Sequence, residues 1–281
     1  MSTTQILVLG ALAGFTIFLG LPVGRIRSTD TRLKAALSAA ATGILLFLFW
    51  DVIVHGIEPV ENALNKAHDE GGSWFDFVKL AVTFGAGMAV GLMSLVYYDR
   101  WFGRQRSKAM LGPGAASAAE FERSWVAGLS PAAWLAFLIA TGIGLHNFSE
   151  GLAIGQYAAQ DQVTLAVVLI IGFGLHNATE GFGIVAPLSG SETRPSWKFL
   201  ALLGLIGGGP TFVGTLLGQT WVNETVSVAF LALAAGSILY VVIQLMNVNQ
   251  KLGHKTLVSW MLLVGLFAGF ATDFIIEIAG V

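Results

Sequence analysis

Gly142–Gly155 reads GIGLHNFSEGLAIG and Gly172–Val185 reads GFGLHNATEGFGIV, one stretch written twice at an interval of thirty residues. Eight of the fourteen aligned positions are identical, among them His146/His176, Asn147/Asn177 and Glu150/Glu180. Each set is embedded in apolar, glycine-rich sequence, the composition of a membrane span and a costly place for an ionisable side chain. At the centre of a spanning helix such a residue costs about 2.5–3.5 kcal/mol, so it faces a cavity, pairs with another polar group or binds something. A single case is readily satisfied by a neighbouring helix. Two copies at the same spacing point to a functional polar site.

The rest of the chain has the same character. Of its 281 residues 55% are hydrophobic and only 11% charged, with a mean hydropathy of +0.73. Soluble domains carry about 25% charged residues, so the deficit of charge speaks for a membrane protein as strongly as the apolar excess does. The absence of cysteine excludes disulfides, thiolate metal sites and cysteine nucleophiles. A net charge of −2 favours no polyanion, so no nucleic-acid partner is expected and membrane lipid is the surrounding phase. The 35 glycines allow spanning helices to pack with their backbones close.

Eight apolar segments, each long enough for a hydrocarbon core of about 30 Å, are read at residues 5–24, 35–55, 77–97, 132–156, 163–186, 198–220, 226–247 and 257–279. The expectation is an all-α integral membrane protein with a single transmembrane domain over residues 1–281. The first segment lacks a positive flank before it and is followed by Arg25 and Arg27, so it is expected to stay as a helix and not to be cleaved as a signal peptide. Thirteen of the fifteen basic residues fall in or beside the loops after helices 1, 3, 5 and 7, and only Lys66 and Lys79 on the other side. The positive-inside rule then makes 99–131 a cytoplasmic loop and puts both termini outside a cell membrane, plasma or inner.

The connection at 157–162 is short, which makes helices 4 and 5 an antiparallel hairpin and their shared motif an inverted repeat. Transporters place substrate near the midplane in such arrangements. Residues four apart lie one turn apart on a helix, so His146 stacks with Glu150 and His176 with Glu180. Mirroring the hairpin about its loop brings the two histidines to within about one turn in height but separates Glu150 from Glu180 by about 16 Å. Two imidazoles, two carboxylates and two amides form a nitrogen and oxygen set suited to a borderline divalent metal such as zinc or iron. Calcium and magnesium prefer all-oxygen cages.

With HNFSEG on helix 4 and HNATEG on helix 5, among eight spans with outward termini, the chain resembles the Zrt-, Irt-like protein (ZIP) metal transporters over its whole length. The resemblance implies transport of divalent metal toward the cytosol, with the ion bound by His146, Asn147, Glu150, His176, Asn177 and Glu180. Zinc is the leading substrate, with cadmium, iron and manganese as others; metal is cargo, and no cofactor is implied. The resemblance also implies a homodimer and a rocking or elevator motion of a bundle containing helices 4 and 5. Three features depart from the family pattern. Ser149 and Thr179 stand where proline commonly precedes the glutamate, helix 6 has no acidic residue, and Gln244 occupies an expected acidic position on helix 7.

Further polar residues are candidates of a second order. Asp51, His55 and Glu58 follow an i, i+4, i+7 pattern at the outer end of helix 2, where a negative mouth would concentrate cations. Asp273 and Glu277 are four apart on helix 8, and Tyr240, Gln244 and Asn247 form a polar stripe on helix 7. Asp51, His55, Gln244 and Asp273 are retained as secondary metal-path candidates. The competing reading is an intramembrane metal-dependent hydrolase, with zinc activating water. It calls for an H-E-x-x-H helix or for three ligands with a separate base, and the matched motifs speak against an enzyme.

Overall fold

The computed structural model describes residues 3–26, 30–109, 129–159, 174, 177–188, 194–220 and 223–278. Among these the chain is all-helical. α1 is Thr3–Phe15, continued by 3-10 turns at Thr16–Leu19 and Leu21–Arg25; α2 is Thr31–Asp69, α3 Trp74–Ala109 and α4 Pro131–Ala159. α5 covers 177–185 and ends in a 3-10 turn at Ala186–Leu188. α6 is Trp197–Gly218, α7 Glu224–Leu252 and α8 Lys255–Ile278. Seven of the eight are long and apolar enough to cross a membrane. Residues 160–173, on which the hairpin and the inverted repeat rest, lie outside the described residues.

Local chemistry sets the starts. Asp30 accepts from Arg32 N–H at 2.8 Å, Ser196 from Phe199 N–H at 3.1 Å and Asn223 from Val226 N–H at 3.1 Å, each satisfying a donor that a helix N-terminus leaves open. The ends reach beyond the hydropathy reading. α2 continues past residue 55 to Asp69, through Pro59. Its extension is amphipathic: Val60 is buried with Leu80 of α3 and Val228 of α7, against Ile57 and Ala63. Hydropathy marks where apolar sequence ends, whereas a helix continues as long as one face has something to bury. α3 likewise runs to Ala109, into the segment read as a loop.

The helices form two groups. α1 and α4 pack on α6, and α2 packs on α3, α7 and α8, with α3 also on α7; α4 joins the groups by packing on α7. At their junction is a core that includes Ile17, Leu48, Ile143, Ile184, Leu203 and Ile238. Glycine sets the spacing at the α4–α6 seam. A Cβ on Gly144 would collide with the Ile206 carbonyl, one on Gly151 with that of Thr211, and, from the other side, one on Gly214 with the Phe148 carbonyl. Between lipid-embedded helices no hydrophobic force draws the partners together, so close backbone contact supplies the attraction. Most large aromatic residues at helix ends are exposed, as interfacial anchors are. Trp134 is not one of these: it is buried, and its indole N–H donates to Asp99 at 3.3 Å.

Gly214→Ala should therefore cost about 1–3 kcal/mol by overpacking, read as a lowered Tm of the detergent-purified protein. Gly85→Ala, where an added Cβ meets nothing within 4 Å, should be neutral or slightly stabilising, since alanine is the better helix former. Equal melting of Gly214→Ala and the parent would show that the seam does not set the helix spacing.

Candidate metal site

α4 runs unbroken through its motif, so His146 and Glu150 stand one turn apart on one face. His146 Nε2 lies 3.1 Å from Glu150 Oε1 and 4.0 Å from Glu180 Oε1 of α5. Asn147, one residue round the helix, donates from Nδ2 to Glu180 Oε2 and to the Gly207 carbonyl of α6, both at 3.0 Å. All four side chains are buried: His146 is 3% exposed, Glu150 6%, and Asn147 and Glu180 are fully enclosed. Asn177 is fully enclosed too, and its Nδ2 donates to the Ala13 carbonyl of α1 at 3.0 Å. His176 lies outside the described residues.

This geometry corrects the mirror construction made from sequence. Glu150 and Glu180 were expected about 16 Å apart in height, yet both carboxylates approach the same imidazole nitrogen. α4 remains helical to Ala159, past residue 156, so residues 157–159 of the expected loop belong to the helix, and the remainder of that connection lies outside the described residues. The serine that replaces proline leaves α4 continuous in sequence from Pro131 to Ala159. Ser149 Oγ is buried and has no hydrogen-bond partner among the described residues, so it makes no bond back to the preceding turn.

Chemically, the cluster brings two carboxylates and an imidazole into a membrane span. With both carboxylates ionised and the imidazole neutral it carries two negative charges, which a divalent cation would neutralise. Ligands bound to zinc at 2.0–2.2 Å in a tetrahedron stand roughly 3.3 Å from one another, and the separations of 3.1 and 4.0 Å bracket that value. Among the described residues no group of three His, Asp or Glu side chains is placed to hold a metal ion, and His176 lies outside them. The asparagines add neutral oxygen. Both direct their amide nitrogens at protein acceptors, and Asn147 Oδ1 and Asn177 Oδ1 are buried without a hydrogen-bond partner among the described residues.

α6 supplies no acid, but it is part of the site. Gly207 receives Asn147 through its carbonyl, and Thr211, fully buried, has no hydrogen-bond partner for its hydroxyl among the described residues. Pro210, between them, has no N–H to return to the Ile206 carbonyl. The run GGGP at 207–210 was the available sequence signal. Its backbone role is invisible to a search for ligating side chains.

A sequence model of the ZIP Zinc transporter family matches residues 122–277, more than half of the chain and all of the site described on α4, α5 and α6. The chain belongs to the ZIP family. No curated protein matches it. As a ZIP family member it is a multi-pass membrane transporter of metal ions and not an enzyme, which sets the hydrolase reading aside.

Two of the secondary candidates of this ZIP transporter pair with each other. His55 and Asp51 pair within α2, with Nδ1 3.3 Å from Oδ1 and 3.0 Å from the Asp51 carbonyl, and His55 is exposed. Gln244 lines a cavity of 430 Å³ with Asp99, Trp134 and Tyr240, and none of the motif residues borders it. Asp273 is half-buried on α8, which packs on α2. Sequence reading passed over Asn249, buried on α7 and donating to Thr42 Oγ of α2 at 3.0 Å, a contact that joins those two helices.

Proposed function

We propose that His146, Asn147, Glu150, His176, Asn177 and Glu180 bind the transported ion, that zinc is its preferred identity, and that transport runs toward the cytosol. The approach of Glu150 and Glu180 to one nitrogen of His146 carries this reading. It supports a mixed nitrogen and oxygen set formed by two helices, which suits zinc and admits iron, manganese or cadmium. Neutral amide oxygens supplement the carboxylates, and helix 6 contributes backbone instead of acid. Both termini face outward in a cell membrane, and the working unit is a homodimer as in the family.

Four measurements test the proposal. In proteoliposomes, His146→Ala and Glu180→Ala should each abolish zinc uptake while inserting normally; near-parental rates in both would remove the motif from the transport path. A panel of zinc, cadmium, iron, manganese and cobalt run on the parent reads the selectivity directly.

Uptake should also fall between symmetric pH 7 and symmetric pH 5. An imidazole binds metal only when neutral, its ordinary pKa is about 6.5, and protons therefore displace the ion as pH drops through that range. An equal or faster rate at symmetric pH 5 would remove the histidines from the set of rate-relevant ligands.

For topology, cysteines placed singly at positions 3 and 115 of this cysteine-free chain should label oppositely with an impermeant thiol reagent added outside. Labelling at 115 would reverse the orientation.

A further inference from the structure

α1 loses its α-helical form in mid-span, and the place where it does so touches the motif of α5. Its last α-helical residue is Phe15, so the Ala13 carbonyl is one of the final four that no helical N–H reaches. Two side chains take it up. Thr16 donates its hydroxyl at 2.6 Å, and Asn177, from α5, donates its amide at 3.0 Å. The 3-10 turn that follows is fitted against the same face of α5. A Cβ on Gly174 would touch the Thr16 methyl at 3.4 Å, one on Gly20 would collide with the backbone of Ala178 and Phe182, and one on Gly181 with the Ile17 carbonyl. Positions 174, 177, 178 and 181 are one stripe of a helix.

An amide group is planar, with its nitrogen and oxygen on opposite sides. Anchoring Asn177 Nδ2 on Ala13 therefore fixes the direction of Oδ1, which is buried and without a hydrogen-bond partner among the described residues. We propose that the break in α1 is a positioning device for the transported ion: it holds Asn177 by the nitrogen so that the oxygen is presented bare. The inference rests on the reading of Asn177 as a ligand. Thr16 is the positioning residue, because a hydroxyl bonded to the carbonyl three residues back favours the bend. Without it the Ile17 N–H can extend the α-helix and draw the Ala13 carbonyl into line with the helix axis, away from Asn177.

The test is zinc uptake by the full chain in proteoliposomes, with KM and kcat measured separately. Thr16→Val, which replaces the hydroxyl by a methyl of similar size, should raise KM about fivefold to tenfold, the equivalent of one net hydrogen bond, with kcat little changed. Thr16→Ser should restore the parental KM, and Thr16→Ala replaces the valine variant if that one fails to insert. Asn177→Ala should raise KM as well, and Thr16→Val added to it should raise KM no further, because both act through one contact. A parental KM in Thr16→Val, or effects that multiply in the double variant, would overturn the positioning role and leave Asn177 as a ligand. A parental KM in Asn177→Ala would instead overturn the ligand reading at that residue, and this inference with it.

Discussion

Burial of Glu150 and Glu180 beside His146 is the constraint on which the remainder of the structure depends. A carboxylate withdrawn from water inside a membrane span is stable only if polar groups or a cation replace its hydration. Part of that replacement is visible in the protein. Asn147 donates to Glu180, and His146 stands within 4.0 Å of both carboxylates. In the proposed site a divalent cation would supply positive charge to the two carboxylates.

Bringing such groups together requires helices closer than ordinary side chains permit. Along the α4–α6 seam the glycines leave room for carbonyls of the opposite helix, and the same economy of space recurs where α2 meets α8, with Gly265 against the Ala40 carbonyl. Close backbone approach has a second result at the site. It turns carbonyl oxygens into usable partners, so that Gly207 and Ala13 hold the two asparagines by their nitrogens. The asparagines are thus polarised in one sense, nitrogen toward protein and oxygen left over, which suits a cation and would not suit an anion.

The family membership and the geometry meet in the helices that carry the motifs, while α1 lies outside the matched segment. α1 nonetheless reaches the site through its break, and through α6, on which it packs. Residues that ligate an ion are recognised by type. Residues that aim those ligands act through backbone groups and are recognised only by position.

The sequence by itself determined the class of the molecule and the identity of its candidate ligands. Low charge, long apolar segments and the doubled HNxxEG motif are local properties, and each needs only composition or spacing to be read. It also determined how His146 stacks on Glu150, because a single helix fixes that relation. The meeting of Glu180 with His146 and Asn147, the part played by Gly207 and Ala13, and the extension of α2 to Asp69 were decided by the tertiary structure alone. Each depends on the register of one helix against another, and that register is set by where glycines allow backbones to touch, a property of paired surfaces that no single segment contains.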